Sequence, residues 1–192
     1  MSSQALRQWL TSQRIELDRF ETVLRAVRPC GGPVRQQLVD AYLLLVAAHF
    51  QLYCRRLHDE PAPSVVAQTG PPPLSEIVRE SLVRGRRLDR DNAQPDSVAS
   101  DFDRLGMGFS RQLTALDARN QDRMRRLRQL NVWRNAIAHQ DFLLTPGQAA
   151  TVAGTRRSLK HVRIWRSNCS TLARQFDAVV GRHIASLSGT IS

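Results

Sequence analysis

The stretch NVWRNAIAHQDF, residues 131–142, holds an arginine and a histidine five positions apart among residues that favour helix. Because each residue of a helix turns about 100°, Arg134 and His139 fall about 140° apart and flank a strip of small and polar side chains. Trp133 and Ile137 fall on the other side of the same helix. The pattern therefore predicts a helix with an apolar back against a core and a front that carries a permanent cation and an imidazole.

An arginine and an imidazole at the edges of one strip suit phosphodiester chemistry. The guanidinium is always charged and its planar fork matches a phosphate, while histidine takes or gives a proton near neutral pH. RNA supplies its own nucleophile, the 2′-hydroxyl, so a cleavage site needs only a proton shuttle and charge stabilisation. We interpret Arg134 as the phosphate-holding residue, His139 as general base or acid, and Asn135 as a residue that orients the site or contacts the phosphate.

The spacing alone is weak evidence. With 28 Lys+Arg and five His in the chain, chance is expected to give about 0.7 matches to Arg-x4-His. A second match, Arg156 and His161, does exist, in a Gly/Thr/Arg-rich entry to the last helix and without an asparagine after the arginine. We interpret that match as the chance one. The first match differs by its adjacent Asn135, the small residues around it, and its position near a helix end.

The segment RNAIAH, residues 134–139, resembles the signature of the HEPN superfamily. Three further stretches resemble the branch associated with RNA-ligase operons, RiboL-PSP-HEPN, and with the signature they cover most of residues 35–187: AYLLLVAAHFQLYCRRL, DNAQPDSVASDFDRLGMGF and LARQFDAVV. The resemblance implies an all-α domain, usually a dimer, and often a metal-independent endoribonuclease. It also implies a role as a toxin or in antiviral defence, with an antitoxin or a defence-system protein as partner.

Two positions depart from the family pattern. Several relatives place an acid, three residues, then two basic residues on the second helix; here Gln51 stands in place of the acid before Arg55 and Arg56. We interpret these two arginines as RNA contacts; the alternative is a solvated helix end that complements the helix dipole. A tyrosine two residues after the motif histidine is typical of members silenced by nucleotidylation, and Asp141 at that position argues against such control.

The charge of the chain favours a polyanionic partner. A formal net charge of +11 and a pI near 11.3 point to RNA, DNA or an acidic protein, although a high-GC genome that places arginine on every surface would give the same composition. Aromatic residues make up only 6%, which disfavours a stacking platform for single strands. Arginines crowd the first half of the central helix, and we interpret Arg128 and Asn131 there as further RNA contacts; a solvated face is the alternative.

The cysteines and the apolar segments indicate the cellular compartment in which the protein is expected. Cys30, Cys54 and Cys169 form no CxxC pair, which indicates a reducing compartment without disulfides, and no metal-ligand spacing or cofactor motif is present. The longest charge-free apolar run, Ala41–Cys54, is too short to span a bilayer and fits a buried helix. We expect a cytoplasmic protein that needs no metal or cofactor and does not enter a membrane.

The spacing of apolar residues along the chain predicts helices and no β-strands. The prediction is one all-α domain over residues 1–192, an HEPN-like bundle of about five main helices plus a short one. Helices are expected at 3–27, 34–57, 74–88, 96–105, 109–116, 120–140 and 158–187, loops at 58–73 (proline-rich) and 145–155, and a frayed tail at 188–192.

These inferences converge on one function, with two alternatives. The expected activity is a metal-independent endoribonuclease of the toxin or defence type, active as a homodimer whose composite site forms along the central helix. The first alternative is a non-catalytic HEPN dimer that binds RNA or a partner protein. The second is an immunity or regulatory scaffold whose basic surface holds an acidic partner.

Overall fold

The computed structural model describes residues 2–27, 32–67 and 74–188, and all regular structure within these ranges is helical. The predicted all-α class is therefore confirmed. In chain order the helices are α1 (Gln4–Gln8), a π-helical turn (Trp9–Gln13), α2 (Arg14–Ala26), α3 (Pro33–Asp59), α4 (Ala62–Val66), α5 (Leu74–Val83), α6 (Arg87–Arg90), α7 (Pro95–Asp103), α8 (Phe109–Leu116), α9 (Asn120–Ala138), α10 (Pro146–Thr151) and α11 (Leu159–Ser188).

Helix α3 lies at the centre of the fold because it is apolar on nearly every side. Tyr42, Leu43 and Phe50 are fully buried, and they belong to one apolar cluster that draws side chains from both ends of the chain. The helix begins after Gly32, whose φ of +83° is a conformation that side chains with a Cβ rarely adopt. Proline at its first position fits the φ that a helix start requires.

Helix α3 belongs to a long apolar stretch. Within the described ranges, Pro33–Val66 is the one helical stretch that is long and apolar enough to cross a membrane, and 44% of its most apolar window is buried in the fold. The core helix of a globular protein has the same length and composition, so the expectation of no membrane segment stays a prediction.

Hydrogen bonds between the long helices show their relative directions. Tyr53 Oη donates to the carbonyl of Ala173 at 2.7 Å, and Gln36 Nε2 donates to that of Arg157 at 3.0 Å. The start of α3 thus lies next to a residue just before α11, and a later part of α3 lies next to the middle of α11. The two helices therefore run in the same direction.

Helix α9 runs antiparallel to α11. Asn120, at the start of α9, donates to Gln175 at 3.2 Å, while the carbonyl of Arg123 accepts from Asn168 at 2.9 Å. As the numbers rise on one helix they fall on the other. The C-terminal end of α9, with the Arg-x4-His segment, therefore lies near the start of α11.

Two predicted loops contain helix, which corrects the sequence analysis. Within 58–73, α3 continues to Asp59 and α4 follows Pro61; residues 68–73 lie outside the described ranges. Within 145–155, Thr145 and Gln148 form a capping box that starts α10. The proline and glycine there favoured a loop, but proline is well tolerated in the first turn of a helix.

The helix predicted over 74–88 is interrupted. Helix α5 ends at Val83, and Gly85, with a φ of +68°, separates it from α6. Arg86, next in the chain, is buried and pairs with Asp59 and with Asp89, where Nε lies 3.1 Å from the carboxylate. Arg86 is thus a buried guanidinium held by two partly exposed carboxylates.

The remaining expectations fall at the termini and on the cysteines. The last helix reaches Ser188, and residues 189–192 and Cys30 lie outside the described ranges. Cys54 and Cys169 are free and fully buried, and burial raises the pKa of both thiols. Both cysteines are therefore core side chains.

Candidate functional site

His139 marks the end of α9 rather than its interior. It is the C-cap residue, with φ −97° and ψ 0°, and its backbone N–H donates to the carbonyl of Asn135 at 3.0 Å. The residue is exposed to solvent. This backbone region is sparsely populated and recurs among active-site residues. The imidazole is thus carried on a helix terminus, open to a ligand from outside.

A strained turn fixes the chain just after His139. The N–H of Asp141 bonds to the carbonyl of Ala136 at 3.0 Å, and that of Gln140 bonds to Ile137 at 3.2 Å, which is the Schellman pattern of helix termination. Gln140 has a φ of +53° and is the only described residue other than glycine with positive φ. Glycine is the usual residue here, so the chain carries backbone strain next to the candidate imidazole.

The segment beyond the turn is tied to the bundle. Phe142 packs beneath the guanidinium of Arg157, whose Cζ lies 4.2 Å from the ring centroid. Arg157 also donates to Asp40 on α3 at 2.6 Å. Leu143, which follows, is 90% exposed. The turn at His139 is therefore anchored on one side and presents an apolar side chain to solvent on the other.

Arg134 is half-buried and its guanidinium is oriented by its neighbour. Its Nη1 donates to Asn135 Oδ1 at 3.1 Å, and the same oxygen accepts from Asn92 Nδ2. Along α9, Arg134 and His139 are separated by about 7.5 Å and about 140° of rotation. Asn135 Oδ1 thus holds the Arg134 guanidinium and the Asn92 amide together.

The structure corrects the prediction for Asn131. Its side chain is 2% exposed and donates to the carbonyls of Ala93, at 3.0 Å, and Leu127, at 2.9 Å. A buried amide with both hydrogens engaged is not available to an RNA strand. Asn131 and Asn135, one turn apart on α9, instead clamp the segment 92–93 against the helix.

Gln51 and Arg55 organise the same segment from α3. Gln51 Nε2 donates to the carbonyls of Leu88, at 2.9 Å, and Asp91, at 2.8 Å. Arg55 Nε donates to Leu88 at 2.7 Å and lies 3.5 Å from Asp89. The two side chains satisfy carbonyls at the end of α6 that would otherwise lack a donor. Gln51 thus has a structural role, and Arg55 is partly engaged within the fold.

Arg56 and Arg128 lie apart from this cluster. Arg56 faces α1, where it donates to Gln8 at 2.7 Å. Arg128 donates to both carboxylate oxygens of Asp96, at 2.9 and 3.0 Å, in an exposed ion pair. The structure therefore gathers Arg134, Asn135 and Arg55 around the segment 88–93 but does not bring Arg56 to it.

The second Arg-x4-His match has a different setting. Arg156 lies before α11, and His161, in the first turn, has Nδ1 3.0 Å from the Ser158 hydroxyl and packs against the Trp165 ring. Arg156 and His161 thus fall on either side of the start of α11, and the interpretation of this pair as the chance match stays a prediction.

Sequence reasoning missed two polar features. Asn92 was given no role, although two asparagines four residues apart on the facing helix were a signal for a clamp. His58 was assigned to a loop, yet it is fully buried, with Nε2 3.0 Å from the carbonyl of Asp101 and Nδ1 3.4 Å from Arg86. Burial lowers the pKa of His58, and the hydrogen bond to Asp101 only partly offsets this.

Comparison of the chain with family models, with curated proteins and with solved structures gave no match. Within the described ranges, no three His, Cys, Asp or Glu side chains are grouped closely enough to hold a metal ion.

Proposed function

We propose that the chain is a metal-independent endoribonuclease of the HEPN type. The observation that carries the proposal is the end of α9, where an exposed His139 and an Arg134 oriented by Asn135 share one helix. His139 would take the proton of a 2′-hydroxyl, whose oxygen attacks the adjacent phosphorus. The bond to the 5′-oxygen then breaks and that oxygen takes a proton from water, giving a 2′,3′-cyclic phosphate and a 5′-hydroxyl, while His139 later releases its proton to solvent. Arg134 stabilises the charge on the phosphoryl oxygens.

A second copy of the chain would complete the site. Arg134 and His139 of a single chain point in directions about 140° apart around the helix axis, so one phosphate cannot easily contact both side chains. In a symmetric pair, two copies of α9 would bring an arginine of one chain toward a histidine of the other. Phe142 and Leu143, 42% and 90% exposed, offer apolar surface beside His139 that such a partner would cover.

Cleavage of a labelled RNA in EDTA tests the nuclease proposal. The expected result is cleavage by the wild type and loss of at least a hundredfold in rate for His139→Ala and for Arg134→Ala. Arg125→Ala, which removes an exposed arginine that pairs with Asp122 on the same helix, is the matched control and keeps its rate. Absence of cleavage by the wild type, or equal rates for wild type and His139→Ala, would refute the proposal.

Mixing two inactive variants tests the composite site separately. In a mixed dimer of Arg134→Ala and His139→Ala chains, one of the two sites keeps both side chains. Random pairing should restore about a quarter of the wild-type rate. No restoration, with the wild type active, would assign the whole site to one chain.

The runner-up is an HEPN-type dimer that binds RNA without cutting it. The observation in its favour is that Gln51, at a position where several relatives carry an acid, uses its amide on backbone carbonyls. RNA binding without turnover, in both the wild type and His139→Ala, would select this function. Binding independent of salt would instead favour the scaffold for an acidic protein.

A further inference from the structure

A second basic surface lies along α11. It consists of two adjoining depressions, of about 340 and 510 Å³, that share Arg163 and Ser167. Their linings together contain six arginines and one carboxylate: Arg14, Arg123, Arg126, Arg163, Arg166 and Arg174, with Glu21. We name this surface the α11 groove. Asp18 pairs with Arg14 and Arg166, and Asp117 pairs with Arg123, yet the arginines still outnumber the carboxylates around the groove.

A buried carboxylate fixes part of this surface in place. Glu21 accepts from Arg163 at 2.9 Å, from Arg166 at 3.2 Å and from the hydroxyl of Tyr42 at 3.1 Å. Burial by itself would raise the pKa of Glu21, but hydrogen bonds from Arg25 and the other donors outweigh it and lower that pKa. Glu21 thus stays charged and holds two guanidiniums of the groove in fixed positions, as a preorganised anion site requires.

Other arginines of the α11 groove remain available. The side chain of Arg126 is exposed and makes no hydrogen bond or ion pair within the described ranges, and that of Arg174 is exposed with only a 3.4 Å hydrogen bond to the carbonyl of Ser170. Arg123, by contrast, pairs with Asp117 at 2.8 Å. The groove therefore combines guanidiniums that are held by the fold with two that are free to meet a ligand.

The groove has the donors and the length for a phosphate backbone. Ser167, Ser170 and Thr171 add hydroxyl groups between the arginines, and Arg and Ser/Thr are the side chains that proteins direct to phosphates. From Arg163 to Arg174 the helix advances about 16 Å, more than one phosphate occupies. We propose that the α11 groove binds the sugar–phosphate backbone of a single RNA strand, independently of its sequence.

An acidic peptide is the competing ligand for the groove, because clusters of arginines also recognise acidic motifs. The guanidinium and hydroxyl donors that repeat along the helix fit a phosphate backbone. The aromatic wall of the groove, Trp9, is 3% exposed, and its indole N–H donates to Ser170 at 3.3 Å. A buried indole is not available for base stacking, so the contacts would be with the backbone alone.

The position of the groove relates it to the candidate site. Arg126 and Arg134 lie on the same helix, eight residues and about 12 Å apart along its axis. A strand held on the α11 groove could thus continue toward the end of α9. If the chain is the proposed nuclease, the groove holds the RNA substrate outside the cleavage site. Binding of RNA by the groove does not itself require cleavage.

Binding of a 2′-O-methyl RNA oligonucleotide, which has no nucleophile for cleavage, tests the groove by fluorescence anisotropy. For the double variant Arg126→Ala/Arg174→Ala we expect Kd to rise at least tenfold. The dependence of log Kd on log salt should fall by about 1.4, the value for two phosphate contacts on a single strand. The control Arg79→Ala/Arg84→Ala removes the same charge from exposed positions on and just after α5 and should change Kd less than threefold.

The results separate the groove from the nuclease proposal. Equal Kd values for the two double variants would overturn the groove, whether or not the wild type cleaves RNA. A selective loss of binding in the groove variant supports it, even if no RNA is cut. Labelled poly-glutamate serves as the competing ligand: binding as tight as that of RNA, with the same dependence on Arg126 and Arg174, would overturn the assignment to a phosphate backbone.

Discussion

The structural role of Asn131 leads to a quantitative prediction for Asn131→Ala. The substitution removes two hydrogen bonds from a side chain that is 2% exposed. Leu127 keeps its bond within the helix, but the carbonyl of Ala93 loses its donor, and an unsatisfied buried carbonyl costs about 1–3 kcal/mol. With the lost net contribution of the bonds, we expect the free energy of unfolding to fall by about 2–3 kcal/mol, which lowers Tm by about 4–12 °C in a chain of this size.

Urea unfolding followed by circular dichroism measures this change. Gln121→Ala, an exposed amide on the same helix, is the control and should stay within about 0.5 kcal/mol of the wild type. The anisotropy assay on the folded variant gives the second readout, and RNA affinity should be unchanged. A loss of stability below 0.5 kcal/mol, together with weaker RNA binding, would refute the structural reasoning and restore Asn131 as an RNA contact.

Three other predictions concern single residues. Gln140→Gly should raise the free energy of unfolding by about 0.5–1 kcal/mol in the same urea assay, because glycine adopts the positive φ without strain; a loss of stability would contradict the assigned turn. Burial lowers the pKa of His58 in the folded chain, so the unfolded chain binds the extra proton and the free energy of unfolding falls as pH drops below about 6.5. His58→Gln should weaken this dependence of Tm on pH, and an unchanged dependence would refute the assignment. Thr145→Ala should destabilise α10 by about 1 kcal/mol, seen as faster amide exchange confined to that helix; unchanged exchange would argue against the capping box.

The long helices were predictable because each has a continuous apolar stripe or surface. In α11, Val162, Trp165, Cys169, Leu172 and Phe176 recur at spacings of three and four, and all are buried. In α3 the apolar side chains extend around the whole helix, which predicted its central position. Apolar periodicity reports burial directly, so elements whose stability comes from the core were the ones recovered.

The short helices and the polar contacts were harder to predict. Helix α10 depends on a capping box rather than an apolar stripe, and α4 starts at a proline that also signals a loop. The exposure of Asn131 was also not predictable. Its angle on the helix places it on the front strip, but segment 92–93, distant in the sequence, packs over it. Contacts between residues so far apart in the chain leave no local pattern.

The central claim is that Arg134 and His139 act on a phosphodiester whose 2′-hydroxyl is the nucleophile. The most direct measurement uses an RNA with one mapped cut site, compared in EDTA with the same strand carrying a single 2′-deoxy residue on the 5′ side of that bond. We predict a 2′,3′-cyclic phosphate on the product of the RNA and no cleavage at the deoxy position. Cleavage at the deoxy position at the same rate, or an RNA left intact, would contradict it.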